Sequence, residues 1–88
     1  MSYQIILAPT AARQLHERLP EAVAWACFEF IRRPLAEEPR RVGAPLRSPY
    51  SGHWRARRGE YRVRYTLDDD AKTVAVVDID HRRDAYHR

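Results

Sequence analysis

The sequence contains a single cysteine, so no disulfide can form within the chain. We interpret Cys27 as a core residue and the chain as suited to a reducing compartment. No apolar run approaches the roughly 18–20 residues that a membrane-spanning helix needs. No charged-then-apolar leader precedes a cleavage site of small residues either. These absences predict a cytoplasmic protein.

Acidic residues are in the minority, because 12 Asp and Glu stand against 16 Lys and Arg, which gives a net charge of +4. The basic residues are clustered, since residues 53–64 contain five arginines and one glutamate. This window alone carries a surplus equal to that of the whole chain. A clustered basic stretch favours an anionic partner. Charge by itself leaves RNA, DNA, a membrane surface and an acidic protein open.

The chain has 88 residues, which predicts one domain over residues 1–88. A chain of this size buries about 60–65% of its unfolded surface, enough for one sheet with helices on one side. Apolar runs predict strands and prolines predict helix ends, while proline-rich residues 34–52 predict an ordered loop. The predicted elements are a strand at 3–7, helices at 9–19 and 21–33, and strands at 53–58, 61–67 and 73–80. The predicted fold class is α+β, in the order β-α-α-β-β-β, with a mainly antiparallel sheet and both helices on one face.

The second predicted helix, residues 21–33, is apolar around most of its surface and is expected to end before Pro34. One of its faces is expected to pack on the sheet, and another on the first helix or on a partner. We interpret Trp25, in this helix, and Trp54, on the apolar face of a strand, as core residues rather than stacking platforms.

The stretch GHWRARRGEYRVRYTL alternates cations with apolar side chains, as the two strands of a hairpin do. A loop at residues 58–59 sets Arg55 opposite Arg62, and a loop at 59–60 sets Arg55 opposite Arg64. In either register one face carries Trp54, Ala56, Tyr61, Val63 and Tyr65, and the other carries His53, Arg55, Arg57, Arg62 and Arg64. Opposed like charges cost up to about 1 kcal/mol per pair, so we interpret this cationic face as an anion-binding surface rather than a merely solvated one.

Two groups of acidic residues are compatible with metal binding, but a simpler interpretation fits each. The aspartates at 68–70 lie where a turn is expected, and the further ligands of a calcium loop do not follow at the required spacing. Asp78, Asp80 and His81 fit a metal site only if Ile79 is buried and both aspartates face outward. We predict neither a metal site nor a cofactor.

The last predicted strand runs directly into His81 and Arg82, with Tyr86 close behind. In an antiparallel meander this strand ends beside the start of the strand at 61–67, so the three side chains are expected to reach the cationic face. RNA cleavage by its own 2′-hydroxyl needs a base, cations for the charge at phosphorus, and an acid for the leaving 5′-oxygen. Histidine serves as acid or base near neutral pH, and arginines stabilise phosphate charge. This set predicts phosphodiester cleavage.

The pattern L-x-x-x-x-x-G-x-W-R-x-R-x-G-x-Y-R-V-x-Y at residues 46–65 is followed by an apolar strand, His81, Arg82 and Tyr86. With the strand, helices and proline-rich loop before it, this arrangement resembles the RelE/ParE toxin superfamily over nearly the whole chain, and the RelE branch most closely. The resemblance implies a bacterial type II toxin that cleaves mRNA in the ribosomal A site without a metal and stops translation. Its implied partners are a cognate antitoxin, the ribosome with its rRNA, and mRNA, with no membrane and no small-molecule cofactor.

The resemblance also implies site residues. Matched by motif, the family's site falls on His53, Arg55, Arg62, Arg82 and Tyr86, and His81 lies where several relatives carry a catalytic histidine. We assign catalytic roles to Arg55, Arg62, His81, Arg82 and Tyr86, and RNA contacts to His53, Arg57, Arg58, Arg64 and Arg83. Two alternatives stay open, a ParE-like toxin that inhibits DNA gyrase without nuclease activity and a degenerate module that binds only antitoxin. ParE-like relatives generally lack this full set of basic and C-terminal residues.

Overall fold

The structure is a computed structural model that describes residues 2–81. The strands are β1 (Gln4–Leu7), β2 (Ala44–Pro45), β3 (His53–Arg58), β4 (Tyr61–Asp68) and β5 (Thr73–His81), and the α-helices are α1 (Pro9–Arg13), α2 (Glu21–Phe30) and α3 (Pro39–Val42). Two π-helical segments, Gln14–Arg18 and Ile31–Leu35, extend α1 and α2. The α+β class is confirmed, as are the two N-terminal helices ahead of three consecutive strands.

All five strands form one sheet in the order β1-β5-β4-β3-β2. The strands β3, β4 and β5 form the predicted antiparallel meander. The sequence did not indicate which strand β1 joins. It pairs in parallel with β5, where Ile5 lies opposite Val74.

The core lies between the helices and one face of the sheet. Its most buried side chains come from both layers and include Leu15, Cys27, Phe30, Leu35, Val63, Tyr65, Val74, Val76 and Ile79. Burying one such aliphatic side chain stabilises the fold by about 1.5–3 kcal/mol. Cys27 is a core residue as predicted, and burial raises its pKa to about 12. The helices therefore cover one face of the sheet and leave the opposite face for other contacts.

The second helix continues beyond the predicted end at Pro34. A proline inside an α-helix lacks a donor and clashes with the carbonyl four residues earlier. Here Pro34 lies in the π-helical segment Ile31–Leu35, whose wider turn changes that hydrogen-bond pattern. The prediction of a loop over residues 34–52 is also partly wrong, because α3 and β2 lie within it.

The hairpin between β3 and β4 uses the loop at residues 59–60. Arg55 lies opposite Arg64, and Ala56 lies opposite Val63. Gly59 has a φ of +51°, the left-handed backbone that a two-residue hairpin turn requires at its first position. The predicted separation of an apolar face from a cationic face is confirmed.

The short helix α3 and the strand β2 are attached to the sheet by close packing around Gly43. A Cβ atom on Gly43 would lie 2.2 Å from the hydroxyl oxygen of Tyr65 and 2.8 Å from the backbone oxygen of Arg55. The Tyr65 hydroxyl donates a hydrogen bond to the carbonyl oxygen of Pro39. The absence of a side chain at Gly43 is therefore what lets this segment approach Tyr65.

The turn at residues 68–70 also holds α3 in place. Asp69 accepts hydrogen bonds from the guanidinium of Arg40 and from the Tyr3 hydroxyl. The Arg40 contact, with a smaller contribution from Tyr3, lowers the pKa of Asp69 to about 2. The turn is confirmed, and its second aspartate forms an ion pair rather than facing only solvent.

Candidate nucleic-acid interface

The arginines of β3 and β4 share the face of the sheet that the helices leave uncovered. Arg55 lies opposite Arg64 and Arg57 lies opposite Arg62, so Arg55 and Arg62 are on the same side. A cleft of about 190 Å³ lies on this face, and we call it the cationic cleft. It is lined by Leu46, Tyr50, Arg55, Arg62, Arg64, Asp78 and Asp80. The structure thus brings three of the predicted arginines together.

Two carboxylates lie among these arginines. Across β4 and β5, Asp80 pairs with Arg62 and Asp78 pairs with Arg64. Opposite charges on neighbouring strands contribute about 0.2–1 kcal/mol per pair, which offsets part of the repulsion between arginines on β3 and β4. In the sequence both aspartates are candidates only for metal binding, and their alternation there does not indicate this role.

A β-bulge decides which residues of β5 reach the cationic cleft. The register passes from the Arg64–Asp78 pair to the Tyr65–Val76 pair, so Val77 is an extra residue in β5. One extra residue reverses the alternation of faces along the rest of the strand. The bulge therefore places Asp78 beside the arginines. The sequence does not reveal this bulge, because Val76 and Val77 are both apolar and Val77 alternates correctly with Ile79.

His81 does not reach the cationic cleft, and that prediction is wrong. The bulge turns it to the helix-covered face, where it pairs with Tyr61 and its surface is only 4% exposed. Its Nε2 atom has no hydrogen-bond partner among the described residues, and lies 3.9 Å from Oε1 of Glu60. We therefore interpret His81 as a structural residue at the edge of the core.

Arg58, which was predicted to contact RNA, also lies on the face of the sheet opposite the cationic cleft. Its guanidinium carbon lies 4.7 Å from the ring centroid of Phe30, a core residue of α2. Alternation along β3 places Arg58 on the same face as Ala56, which is buried. Arg57 does lie on the cationic face, but it is exposed and does not line the cationic cleft.

Gln14 fixes β5 at one end of the cationic cleft. Its Oε1 atom accepts a 2.7 Å hydrogen bond from the backbone N–H of Ile79, and its Nε2 donates a 2.8 Å hydrogen bond to Asp78. The strand β1 ends opposite Val76, so the Gln14 amide takes the place of a strand partner along the next part of β5. No pattern in the sequence distinguished Gln14 from other polar helix residues.

Arg64 contacts the rings of His53 and Tyr50 at the rim of the cationic cleft. Its Nη1 lies 3.3 Å from Nδ1 of His53, and its guanidinium carbon lies 5.0 Å from the ring centroid of Tyr50. Because a guanidinium only donates, this contact requires His53 Nδ1 to be the acceptor and therefore unprotonated. The predicted position of His53 beside the arginines is confirmed, while Tyr50 was not predicted.

Three predicted site residues, Arg82, Arg83 and Tyr86, lie outside the described residues. The metal alternative fails on geometry, because His81 lies on the opposite face from Asp78 and Asp80. Within residues 2–81, no group of three or more His, Cys, Asp or Glu side chains is arranged to hold a metal ion.

A second exposed surface lies on the helical layer. Trp25 is 63% exposed, which contradicts its assignment to the core, and it makes an edge-to-face contact with Phe28 at 6.2 Å. A groove of about 480 Å³ beside them is also lined by Leu15, His16, Leu19, Glu21 and Ala24.

Trp54 is half-buried and packs against the core, as predicted. None of the helices between residues 2 and 81 has the length and apolar character of a membrane span.

Comparison with known proteins gives consistent matches over the chain. The model of the family described as ParE toxin of type II toxin-antitoxin system, parDE, matches residues 3–86. Toxin RelG of Mycobacterium tuberculosis is 44% identical over 88 residues, which is 100% of both chains. Toxin RelE of the same organism is 45% identical over 84 residues, covering 96% of this chain and 86% of that protein. A crystal structure of the toxin-antitoxin complex RelBE2 from M. tuberculosis contains a chain with 43% identity and a TM-score of 0.90, matched over 93% of this chain and 100% of that one.

Proposed function

Because the chain belongs to the ParE toxin family of type II toxin–antitoxin systems, we propose that it cleaves mRNA in the ribosomal A site and so stops translation. Two relatives with 44–45% identity are named RelG and RelE toxins, which favours the RelE-like activity within this family. A ribosomal target places the protein in the cytoplasm.

The observation that carries the proposal is the cationic cleft. Arg55, Arg62 and Arg64 converge there, on a face that none of the helices described within residues 2–81 covers. Guanidinium groups bind phosphate oxygens in a forked, charge-assisted geometry and keep their charge at all physiological pH values. Fixed cations aimed at the phosphate stabilise the extra negative charge of the transition state more than that of the bound RNA.

The reaction itself transfers two protons. A base removes the proton of the 2′-hydroxyl, whose oxygen attacks phosphorus, and an acid protonates the 5′-oxygen as the phosphorus–oxygen bond breaks. His53 is the one imidazole on the cationic face among residues 2–81, and its Nδ1 lies 3.3 Å from Nη1 of Arg64. We propose His53 for one transfer and keep Tyr86, matched by motif, for the other. Arg82 remains proposed as a catalytic residue and Arg83 as a contact to the same RNA.

The cationic cleft supplies charge but few groups that read base edges, because guanidinium–phosphate contacts position a nucleic acid without reading its sequence. We therefore propose that the ribosome provides the substrate geometry and that free RNA is cut poorly. Holding the 2′-hydroxyl in line with the leaving oxygen can lower a barrier by up to about 7–11 kcal/mol.

The chain is also proposed to bind a cognate antitoxin. The RelBE2 relative was solved as a toxin–antitoxin complex, and that toxin chain superposes on this one with a TM-score of 0.90. We place part of the antitoxin on the groove beside Trp25 and Phe28, because large exposed aromatic side chains are typical of protein–protein interfaces. The sheet separates this groove from the cationic cleft. An antitoxin that blocks catalysis directly must therefore also reach the opposite face.

Inhibition of DNA gyrase is the second candidate, since the matching family model is described by the parDE toxin. Expression of the chain alone in bacteria separates the two. We expect protein synthesis to stop first while plasmid supercoiling stays normal, and purified protein to cut mRNA on programmed ribosomes. Loss of supercoiling with continued protein synthesis would favour the gyrase function and reject the nuclease.

A further inference from the structure

Tyr50 is an exposed aromatic residue held in a fixed position at the rim of the cationic cleft. Its backbone N–H donates to the carbonyl of Arg47 at 2.8 Å, and its carbonyl accepts from the N–H of His53 at 3.0 Å. The N–H of Leu46 also donates to the carbonyl of His53 at 2.8 Å, which closes the loop that carries Tyr50 onto β3. These hydrogen bonds fix the backbone of Tyr50 at the rim of the cationic cleft.

The ring of Tyr50 has one side occupied and much of its surface free. The guanidinium of Arg64 lies over the ring with its carbon 5.0 Å from the centroid, and the His53 ring meets it edge-on at 6.3 Å and 74°. Nevertheless 49% of Tyr50 is exposed. With the Arg64 guanidinium over one face, the remaining exposed surface of the ring is open to a flat ligand.

The size of the cationic cleft indicates where such a ligand lies. Pockets that enclose small organic ligands usually measure about 300–1,000 Å³. At about 190 Å³ the cationic cleft is below that range, which suits a phosphate group rather than a whole nucleotide. The base attached to a phosphate in the cleft must then lie at the rim, where Tyr50 is the aromatic residue among the described lining residues.

We propose that Tyr50 stacks on a nucleobase of the RNA whose phosphate occupies the cationic cleft, which forms a base–Tyr50–Arg64 stack. This inference rests on the proposed RNA-cleaving function. Unstacked bases are commonly held on aromatic or guanidinium planes, and such stacking tolerates any base because every base has a π face. Tyr50 thus orients the nucleotide next to the phosphate and contributes little to sequence preference.

The test uses ribosomes programmed with mRNA that carries 2′-O-methyl groups in the A-site codon, so that it cannot be cut. 2-Aminopurine replaces each of the three A-site bases in turn, because its fluorescence changes on stacking. We expect wild-type protein to change the signal at one position, Tyr50→Phe to retain the change, and Tyr50→Ala and Tyr50→Leu to lose it. The affinity of Tyr50→Ala should fall by roughly 5- to 100-fold, the usual range for one lost stacked base.

A second binding experiment, on ribosomes without mRNA, decides whether the stacked base belongs to mRNA or to rRNA. If no A-site position responds but Tyr50→Ala weakens binding to vacant ribosomes while Tyr50→Phe does not, the stacked base belongs to rRNA and the stacking still stands. If Tyr50→Ala binds both kinds of ribosome as tightly as wild type and leaves every signal unchanged, the inference is wrong. Failure of the nuclease proposal is a separate outcome. In that case the wild-type protein would leave mRNA without 2′-O-methyl groups uncut on the ribosome.

Discussion

Asp80 lies directly opposite Arg62 across β4 and β5, so a carboxylate faces the arginine to which we assign charge stabilisation. Their pairing depends on the bulge at Val77, which brings the aspartates of β5 onto the cationic face. A carboxylate beside a phosphate-binding arginine weakens the local attraction for RNA.

Asp80→Asn is therefore expected to strengthen RNA binding. Loss of one nearby negative charge should raise the affinity for a 2′-O-methyl RNA about two- to fivefold at low salt, since partly exposed charge pairs contribute up to about 1 kcal/mol. Titrations at increasing salt measure the effect, which screening should reduce. Asp70→Asn is the control, because Asp70 lies in an exposed turn. Equal affinity of the two variants would contradict the assigned role of Asp80.

Arg62→Ala should slow the cut far more than it weakens binding. Removal of a contact made chiefly in the transition state costs on the order of 100-fold or more in rate. Arg55 and Arg64 still line the cationic cleft in this variant, so ribosome affinity should change much less. Single-turnover cleavage and ribosome binding are measured separately. Arg58→Ala is the matched control from the same hairpin and should cut like wild type, whereas wild-type cleavage by Arg62→Ala would place the site elsewhere.

Gly43→Ala should destabilise the fold. The added methyl group would overlap the Tyr65 hydroxyl at 2.2 Å and the Arg55 backbone oxygen at 2.8 Å. Overpacking of this kind typically costs about 1–3 kcal/mol of unfolding free energy. Urea denaturation measures the loss, and the Gly43→Ala, Tyr65→Phe double variant should lose less than the sum of the single changes. Strict additivity would show that the hydroxyl is not the group displaced.

Stability should fall at alkaline pH. Burial raises the pKa of Tyr65 to about 12, while the unfolded chain ionises its tyrosines near 10. Because the pKa is higher in the folded state, the buried neutral phenol contributes its full stabilisation below pH 10. This stabilisation is lost as the pH rises toward 12. Tyr65→Phe should start from a lower stability at pH 8, because it loses the Pro39 hydrogen bond, but should decline less steeply. If the unfolding free energies of the two proteins fall equally steeply between pH 9 and 11, this assignment is wrong.

Trp25→Ser should weaken the association with the cognate antitoxin and leave mRNA cleavage unchanged. Truncation of a central aromatic residue in an interface commonly costs 10- to 100-fold or about 1–3 kcal/mol in affinity. Because Trp25 is exposed, the variant should unfold at the same denaturant concentration as wild type. Glu29→Gln, on the same helix, is the matched control. If the dissociation constant for Trp25→Ser is unchanged, the antitoxin does not bind at this groove.

The sequence by itself determined the two faces of the β3–β4 hairpin. Strict alternation with a two-residue loop allows only one separation of apolar from cationic residues, so Arg55 and Arg62 share a face in either register. Proline, glycine and apolar periodicity likewise predicted most strands and the start of both helices. These signals are local, because each depends on neighbours within a few positions in the chain.

Only the tertiary structure decided which residues of β5 join those arginines. The bulge at Val77 buries Ile79 and His81 and exposes the aspartates to the cationic cleft, since the apolar side chain of Ile79 gains more from the core than a carboxylate would. The positions of Gln14 and Tyr50 depend on contacts with residues distant in the chain. The exposure of Trp25 likewise depends on where α1 and α2 pack, because an apolar helix face looks the same in the sequence whether the fold or a partner covers it.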